Sequence, residues 1–175
     1  MSEGDRLVDP VREGIDCVVR VGKLKDSDMV ARRLGELEEV TCAAPDYLQR
    51  FGTPHSISEL EGHRMVGFRS TASGTLMPLE FTVAGQTRQV TLPCTVSVSA
   101  AESLVAAARM GLGIIQVPRY HLRDSLDNGS LLPLLPQFPS TPMPVSLLYP
   151  RNRQLSPRVR VFIDWFSKVF AARNR

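Results

Sequence analysis

Long hydrophobic runs are missing from this 175-residue chain, although 43% of its residues are hydrophobic. No segment reaches the ~18 uninterrupted apolar residues that a membrane-spanning helix needs. The N-terminal MSEGDR also has no apolar signal-peptide region. These absences predict a cytoplasmic protein that does not enter a membrane. The length allows one domain, or two small lobes that share a core.

Cysteine and histidine are scarce, with three of each. Cys17, Cys42 and Cys94 form no CxxC pair and no Cys/His spacing typical of a metal site. We therefore predict free, buried thiols in a reducing compartment, no metal and no cofactor. His63 is predicted to make a structural hydrogen bond. The chain also has no GxSxG, HExxH or P-loop motif, so no catalytic residue is predicted.

Charge of neither sign dominates, because the net charge of +3 is spread over interleaved acids and bases. Basic residues concentrate only near the C-terminus, and no aromatic residues alternate with them in the manner of a nucleic-acid-binding sheet. The group is predicted to be a solvated helix face and its approach loop: Arg151, Arg153, Arg158, Arg160, Arg173 and Arg175.

The segment 94–118 has the clearest local pattern, and it predicts a strand, a helix, a glycine stop and a second strand. Ser99 precedes Glu102 by three residues, which is the capping-box spacing at a helix start. Gly111 and Gly113 end the helix, and Ile114–Val117 is an apolar run typical of a covered strand. The free amides beside Ser99 predict an anion site there.

The rest of the chain alternates strands with helices, which favours an α/β fold. The predicted strands are Cys17–Val21, Val40–Ala43, Met65–Phe68 and Val145–Tyr149, with Val30–Leu37 extended and a hairpin around Ala84–Arg88. The predicted helices are Leu7–Gly14, Pro45–Phe51, Tyr120–Asn128 and one that begins at Ser156 with Phe162, Trp165, Phe166 and Val169 as its apolar face. Ser56 and Glu59 predict a second capping box. Prolines 133, 136, 139, 142 and 144 predict a connector that cannot pair in a sheet.

Four stretches resemble, in order, the effector-sensing domain of LysR-type transcriptional regulators: Asp16–Gly22 after Leu7–Asp9 and Gly14, Cys42–Leu48 with Gly52–Pro54 and Leu60–His63, the segment 94–118, and Leu155–Arg160 before Phe162 and Trp165. The resemblance implies a type 2 periplasmic-binding-protein-like fold, in which two crossovers join two lobes. Lobe I would hold residues 1–38 and 143–175, and lobe II residues 39–142. The family's opening strand, helix and strand and its helix-turn-helix domain have no counterpart here, so the first lobe is expected to be incomplete and the DNA-binding domain absent.

The resemblance also implies that the turn at Ser99 faces a cleft between the lobes, where a small-molecule effector binds. Side chains at strand ends and in the polar loop 70–75 add to this set, since ligands bind at the carboxyl ends of strands in open α/β sheets. The predicted effector-binding residues are Arg20, Gly22, Arg69, Ser70, Ser97, Ser99, Ala100, Gln116 and Pro118. A carboxylate or another small anion is the expected effector, with Arg69 or Arg20 as its partner.

In the family, the helix after this turn pairs across a dimer. That implies a homodimer interface at Ala101, Leu104, Val105, Ala108 and Arg109. The expected function is effector sensing by a LysR-type regulator that contacts DNA only through its N-terminal domain. A periplasmic-type solute-binding protein and a small α/β enzyme are the alternatives, although the missing signal segment and the missing nucleophile–base pattern argue against them.

Overall fold

A computed structural model of the protein describes residues 14–22, 24, 29–71, 73–150 and 156–173. The strands are β1 (Val18–Val21), β2 (Met29–Leu37), β3 (Glu39–Ala43), β4 (Gly67–Arg69), β5 (Leu76–Met77), β6 (Leu79–Val83), β7 (Gln86–Val90), β8 (Ser97–Val98), β9 (Ile115–Pro118), β10 (Leu132–Pro133) and β11 (Met143–Pro150). The helices are α1 (Pro45–Phe51), α2 (Ala101–Arg109), α3 (Arg123–Asp127) and α4 (Pro157–Arg173). None of these helices is long and apolar enough to cross a membrane. The predicted helix Leu7–Gly14 lies outside the described residues except for Gly14.

The chain divides into two compact units. Unit 1 is Glu38–Thr141, and unit 2 combines the described residues up to Leu37 with those from Pro142 onward. Among the described residues, unit 1 is therefore one continuous segment, whereas unit 2 combines an early and a late segment of the chain.

Unit 1 combines one parallel strand pair with several antiparallel pairs. β4 pairs in parallel with β8, and a parallel bridge between Met65 and Ile114 connects the residues before β4 to those before β9. β3 pairs antiparallel with β9, and β10 with β3. α2 lies against this sheet with Leu104 and Ala108 fully buried, as its apolar stripe predicts. The predicted strand, helix and strand are thus confirmed, although β8 is only two residues long.

The predicted hairpin is confirmed as the antiparallel pair β6–β7. Ala84 and Gly85 form its two-residue turn with φ values of 49° and 78°. Positive φ at both central residues is the geometry that matches the right-handed twist of the flanking strands. Phe81 of β6 is fully buried, so the hairpin contributes directly to the core of unit 1.

Two local predictions in unit 1 are wrong. The proline-rich segment does pair, because Pro133 lies opposite Cys42 in β10. β10 is the outer strand of the sheet β10–β3–β9, where a proline without an N–H is tolerated. The helix predicted over Tyr120–Asn128 is instead a 3₁₀ turn at Arg119–His121 followed by the short helix α3.

The capping box predicted at Ser56 also differs from the structure. The Ser56 hydroxyl donates to the Glu59 carboxylate at 2.8 Å, and the backbone N–H of His55 donates to the same carboxylate at 2.9 Å. These bonds lower the pKa of Glu59. The turn that follows is 3₁₀, Ser58–Leu60, and no side chain caps it.

Unit 2 consists of the antiparallel sheet β1–β11–β2 with α4 packed on one face. Leu147 of β11 is fully buried against Val159 and Ile163 of α4. The prediction that Trp165 lies on the buried face of α4 is therefore wrong. Val159 and Ile163 are buried in the core, while Trp165 is 56% exposed. Aromatic residues at helical spacing predict an apolar face, but only packing against β11 decides which stripe is buried.

Candidate functional site

The carboxyl ends of β4 and β8 form the candidate site in unit 1. The parallel register places Gly67 beside Ser97 and Phe68 beside Val98. Arg69 ends β4 and Ser70 follows it, while Ser99 and Ala100 follow β8, so these four residues lie at the same edge of the sheet. Gly67 leaves little room on this strand, since a Cβ there would meet Ser97 Cβ of β8 at 3.2 Å and Leu76 Cδ1 of β5 at 2.5 Å. The structure thus brings together five residues of the predicted effector set: Arg69, Ser70, Ser97, Ser99 and Ala100.

α2 begins at this edge without a side-chain cap. Its N-cap is Ala100, in an extended conformation, and the Ala100 carbonyl accepts the first helical bond from the N–H of Leu104. The predicted capping box of Ser99 and Glu102 is therefore wrong, because the helix starts one residue later than that spacing requires. The amides of the first turn keep the partial positive charge of a helix N-terminus.

The polar loop after β4 is held by its own hydrogen bonds. Arg69 Nη1 donates to the Gly74 carbonyl at 2.8 Å, and the N–H of Gly74 donates to the Ser70 carbonyl at 2.8 Å. Ser70 N–H in turn donates to the Thr75 carbonyl at 3.0 Å. Arg69 is exposed, so its positive charge lies at the edge of the site.

The side chain of Gln116 connects three strands by hydrogen bonds, a role that the sequence did not indicate. Its Nε2 donates to Thr41 Oγ1 and to the Glu80 carbonyl, both at 2.8 Å, and its Oε1 accepts the Glu80 N–H at 2.8 Å. The amide therefore joins β3, β6 and β9. Pro118 ends β9 opposite Glu39. A direct role of Gln116 and Pro118 in effector binding stays a prediction.

The last two predicted effector residues lie in unit 2. Arg20 is a half-buried residue of β1 opposite Ser146 of β11. Gly22 follows that strand with a φ of 96°, and its N–H donates to the Pro144 carbonyl at 2.8 Å. Their contribution to effector binding also stays a prediction.

Most of the predicted dimer residues are not on the surface. Leu104, Val105 and Ala108 are at most 9% exposed and belong to the core of unit 1. Their side chains pack inside the unit, and an interface role for these three residues stays a prediction. Ala101 is half-buried and Arg109 exposed, so Arg109 is the predicted interface residue with a free surface.

A second concave region of unit 1 is a shallow groove of about 350 Å³ lined by Phe51–Pro54, Glu59 and residues 61–63. His63 Nδ1 and the Tyr47 hydroxyl lie 3.0 Å apart, and that hydroxyl accepts the Arg64 N–H at 2.9 Å. The structural hydrogen bond predicted for His63 is thus confirmed, and burial lowers the pKa of its imidazole. Nothing in the described part of the chain groups three His, Cys, Asp or Glu side chains in a way that could hold a metal ion.

Two compact α/β units, one of them with parallel strands ending beside an uncapped helix start, define a ligand-binding domain of the periplasmic-binding-protein-like class. Residues 1–171 match the LysR substrate binding domain, and the chain belongs to that family.

Similar proteins are transcriptional regulators. The chain is 40% identical over 171 residues to the uncharacterized HTH-type transcriptional regulator YhjC of Escherichia coli K12, a match that covers 97% of this chain and 56% of that protein. It is 32% identical over 162 residues to the HTH-type transcriptional activator AaeR of the same organism, covering 93% and 52%. The chain thus spans about half the length of the curated relatives it matches.

Solved structures agree with this assignment. CrgA of Neisseria meningitidis, a LysR-type transcriptional regulator, is similar with a TM-score of 0.80 and 29% identity, covering 97% of this chain and 56% of that one. The virulence activator AphB of Vibrio cholerae is similar with a TM-score of 0.78 and 30% identity, covering 94% and 55%. The chain is accordingly an effector-binding domain of the LysR type, and these relatives support neither an enzyme nor a solute-binding protein.

Proposed function

We propose that this domain senses a small anion, preferentially a carboxylate, where β4 and β8 end beside the first turn of α2. The observation that carries the proposal is the parallel register of β4 and β8, which sets Arg69 and Ser70 next to Ser99 and Ala100. The start of α2 contributes about half a positive charge, worth ~1 kcal/mol toward an anion at an exposed position. Arg69 adds charge-assisted hydrogen bonds of bidentate geometry.

The output of binding is a shift between conformations rather than a reaction. A ligand moves such an equilibrium only when it binds one state more tightly than the other. In this proposal units 1 and 2 correspond to regulatory lobes II and I, and Arg20 and Gly22 are the candidate effector-binding residues of lobe I. A homodimer in the cytoplasm would pass the change to DNA through a helix-turn-helix region of the full-length regulator, as the names of its relatives suggest.

Binding of carboxylates by variants of this edge tests the proposal. Calorimetry with a panel of small carboxylates and their matched uncharged amides should show binding of at least one carboxylate but not of its amide. Arg69→Ala should weaken that binding roughly tenfold, since it removes a charged donor. Ser99→Ala should weaken it less and leave the free energy of unfolding unchanged, because Ser99 does not cap α2.

Arg88→Ala is the matched control, because Arg88 is an exposed arginine on the hairpin strand β7. It should not change the affinity. Equal binding of a carboxylate and its amide, or an affinity indifferent to both Arg69→Ala and Ser99→Ala, would contradict an anion site at this edge.

A further inference from the structure

The groove beside His63 in unit 1 lies apart from the β4–β8 edge. It encloses about 350 Å³ and is lined by Phe51–Pro54, Glu59 and residues 61–63. His63 belongs to the segment that leads into β4, whereas Arg69 ends β4. The groove is therefore near the amino end of this strand, and the proposed anion site is at its carboxyl end. We call this concave surface the His63 groove.

His63 presents an imidazole nitrogen to this groove. The residue is only 6% exposed, and its Nδ1 lies 3.0 Å from the hydroxyl of Tyr47. Tyr47 is fully buried and does not line the groove. Because Nδ1 faces Tyr47, the side of the ring that borders the groove carries Nε2. This nitrogen has no hydrogen-bonding partner among the residues that the structure describes, although the polar atoms of buried side chains normally have one.

The contacts of the Tyr47 hydroxyl assign the tautomer of His63. The hydroxyl accepts the Arg64 N–H at 2.9 Å and lies 3.2 Å from the Arg64 carbonyl, to which it can donate. With its proton on that carbonyl it accepts from Nδ1–H of His63, so that all three contacts are hydrogen bonds. The opposite tautomer would leave the carbonyl without a donor. Nε2 is therefore an acceptor, and burial, which lowers the pKa of the imidazole, favours this neutral form.

The charged groups on the groove lining are acceptors as well. The carboxylate of Glu59 is held by the N–H of His55 at 2.9 Å and by the hydroxyl of Ser56 at 2.8 Å. Glu61 adds a second, exposed carboxylate. Within the described part of the chain, no Lys or Arg lines the groove. A ligand that matches these acceptors carries several N–H donors and a positive charge, as an ammonium group does.

The apolar part of the lining consists of Phe51 and Pro54. The ring of Phe51 stacks on Tyr47 with 4.7 Å between the centroids, yet Phe51 is 40% exposed. An exposed aromatic ring of this kind can pack against a second ring in an offset or edge-to-face arrangement. The groove therefore favours a ligand with an aromatic body over a bare ammonium ion.

Two arginines near Phe51 give the bound ligand a direction. The guanidinium carbons of Arg50 and Arg64 lie 5.7 and 5.9 Å from the centroid of the Phe51 ring. Their positive charges disfavour an ammonium group above this ring, because like charges repel at short range. The ammonium is therefore directed toward the two carboxylates, and Phe51 is left to contact the apolar body.

We propose that the His63 groove binds a primary amine that carries an aromatic ring. The ammonium group donates to Nε2 of His63 and to the carboxylates of Glu59 and Glu61. The ring packs beside Phe51. At ~30 Å³ for each water-sized group, the groove has room for about ten non-hydrogen atoms, and we expect a Kd on the order of 1 mM. The ligand has the opposite charge to that of the anion site, so each proposal can fail without the other.

NMR titration of the whole ¹⁵N-labelled chain with 2-phenylethylamine tests the proposal. The uncharged 2-phenylethanol and the anion 3-phenylpropionate are the ligand controls. The amine should shift the amide signals of residues 51–54 and 61–63 to saturation, and the signal of His63 Nε2 should shift with the same midpoint. The alcohol should bind there at least tenfold more weakly, since it lacks the charge. No saturable shift at these residues, or equal binding of the amine and either control, would overturn the proposal.

Variants of the groove test the assigned contacts. His63→Asn keeps a polar atom beside Tyr47 but removes Nε2, so it should weaken amine binding roughly tenfold. Glu61→Gln should weaken it about threefold, as expected for an exposed ion pair, and it decides the matter if His63→Asn does not fold. Asp127→Asn, a change at an exposed carboxylate of α3 outside the groove, is the matched control and should have no effect. An affinity unchanged in Glu61→Gln, or reduced equally in Asp127→Asn, would overturn the proposal.

Discussion

Replacing Gly113 with alanine is expected to lower the free energy of unfolding of unit 1 by about 3 kcal/mol. A Cβ at this position would lie 2.7 Å from the backbone carbon of Met65, 2.9 Å from the Arg64 carbonyl oxygen and 2.9 Å from the Val66 nitrogen. These atoms belong to the segment just before β4, to which Ile114 makes two backbone hydrogen bonds. Its N–H donates to the Arg64 carbonyl, and its carbonyl accepts from the Val66 N–H. The backbone cannot move away without breaking that bridge.

Urea unfolding followed by far-UV circular dichroism measures this effect. Gly129→Ala is a suitable control, because Gly129 has a φ of 72° but an added Cβ would meet nothing within 4 Å. It should cost only about 1 kcal/mol, from backbone strain alone. Trp165 is the single tryptophan of the chain and lies in unit 2, so its fluorescence follows the other unit separately. A Gly113→Ala protein as stable as Gly129→Ala would contradict the close approach.

Glu39 is expected to make unit 1 less stable as the pH rises from 5 to 8. Burial, together with the smaller effect of the nearby Glu80 charge, raises the pKa of this carboxyl to about 7. A pKa above the unfolded value of about 4.5 means that the stabilising contribution is complete below pH 4.5 and is lost as the pH rises through 7. The full difference amounts to at most ~3 kcal/mol. Glu39→Gln should remove this loss and leave unit 1 more stable than the parent at pH 8.

Unfolding free energies at pH 5 and pH 8 for the parent and Glu39→Gln check this expectation. Glu61→Gln, a change at an exposed carboxylate, serves as the control and should not alter the pH dependence. The hypothesis is wrong if Glu39→Gln and the parent lose the same free energy between the two pH values.

Local sequence patterns were sufficient for the strand, helix and strand between Cys94 and Pro118, because periodicity and glycine stops act within a few residues. The same local patterns predicted Ser99 as the N-cap of α2, whereas the N-cap is Ala100. Ser99 and Glu102 have the right spacing, but the helix starts where β8 leaves its partner, and the pairing of β8 with β4 fixes that point. The position of the cap therefore depends on the pairing of β8 with β4, and the sequence near Ser99 alone does not reveal that pairing.

In the candidate site, too, some features were predictable from the sequence and others depend on contacts between distant segments. The family resemblance indicated an effector site at Ser99 with Arg69 as a possible partner, and the parallel register of β4 and β8 brings these two residues to one edge of the sheet. The sequence could not show that the amide of Gln116 binds Glu80, because no local pattern connects β9 to β6. Trp165 likewise has the spacing of a core residue, yet the fit of Val159 and Ile163 to Leu147 decides the buried stripe.

The discontinuity of unit 2 has a consequence for folding during synthesis. Among the strands that the structure describes, β1 and β2 each pair with β11 and not with one another, so these ladders cannot form until the ribosome has made Met143–Pro150. The described part of unit 1, Glu38–Thr141, can complete its core before that point, since domains generally fold as units in the order of their emergence. Closing the β1–β11 ladder, from Val18 to Leu148, is then the late and entropically costly step, and the nascent chain carries two unpaired strands until it occurs.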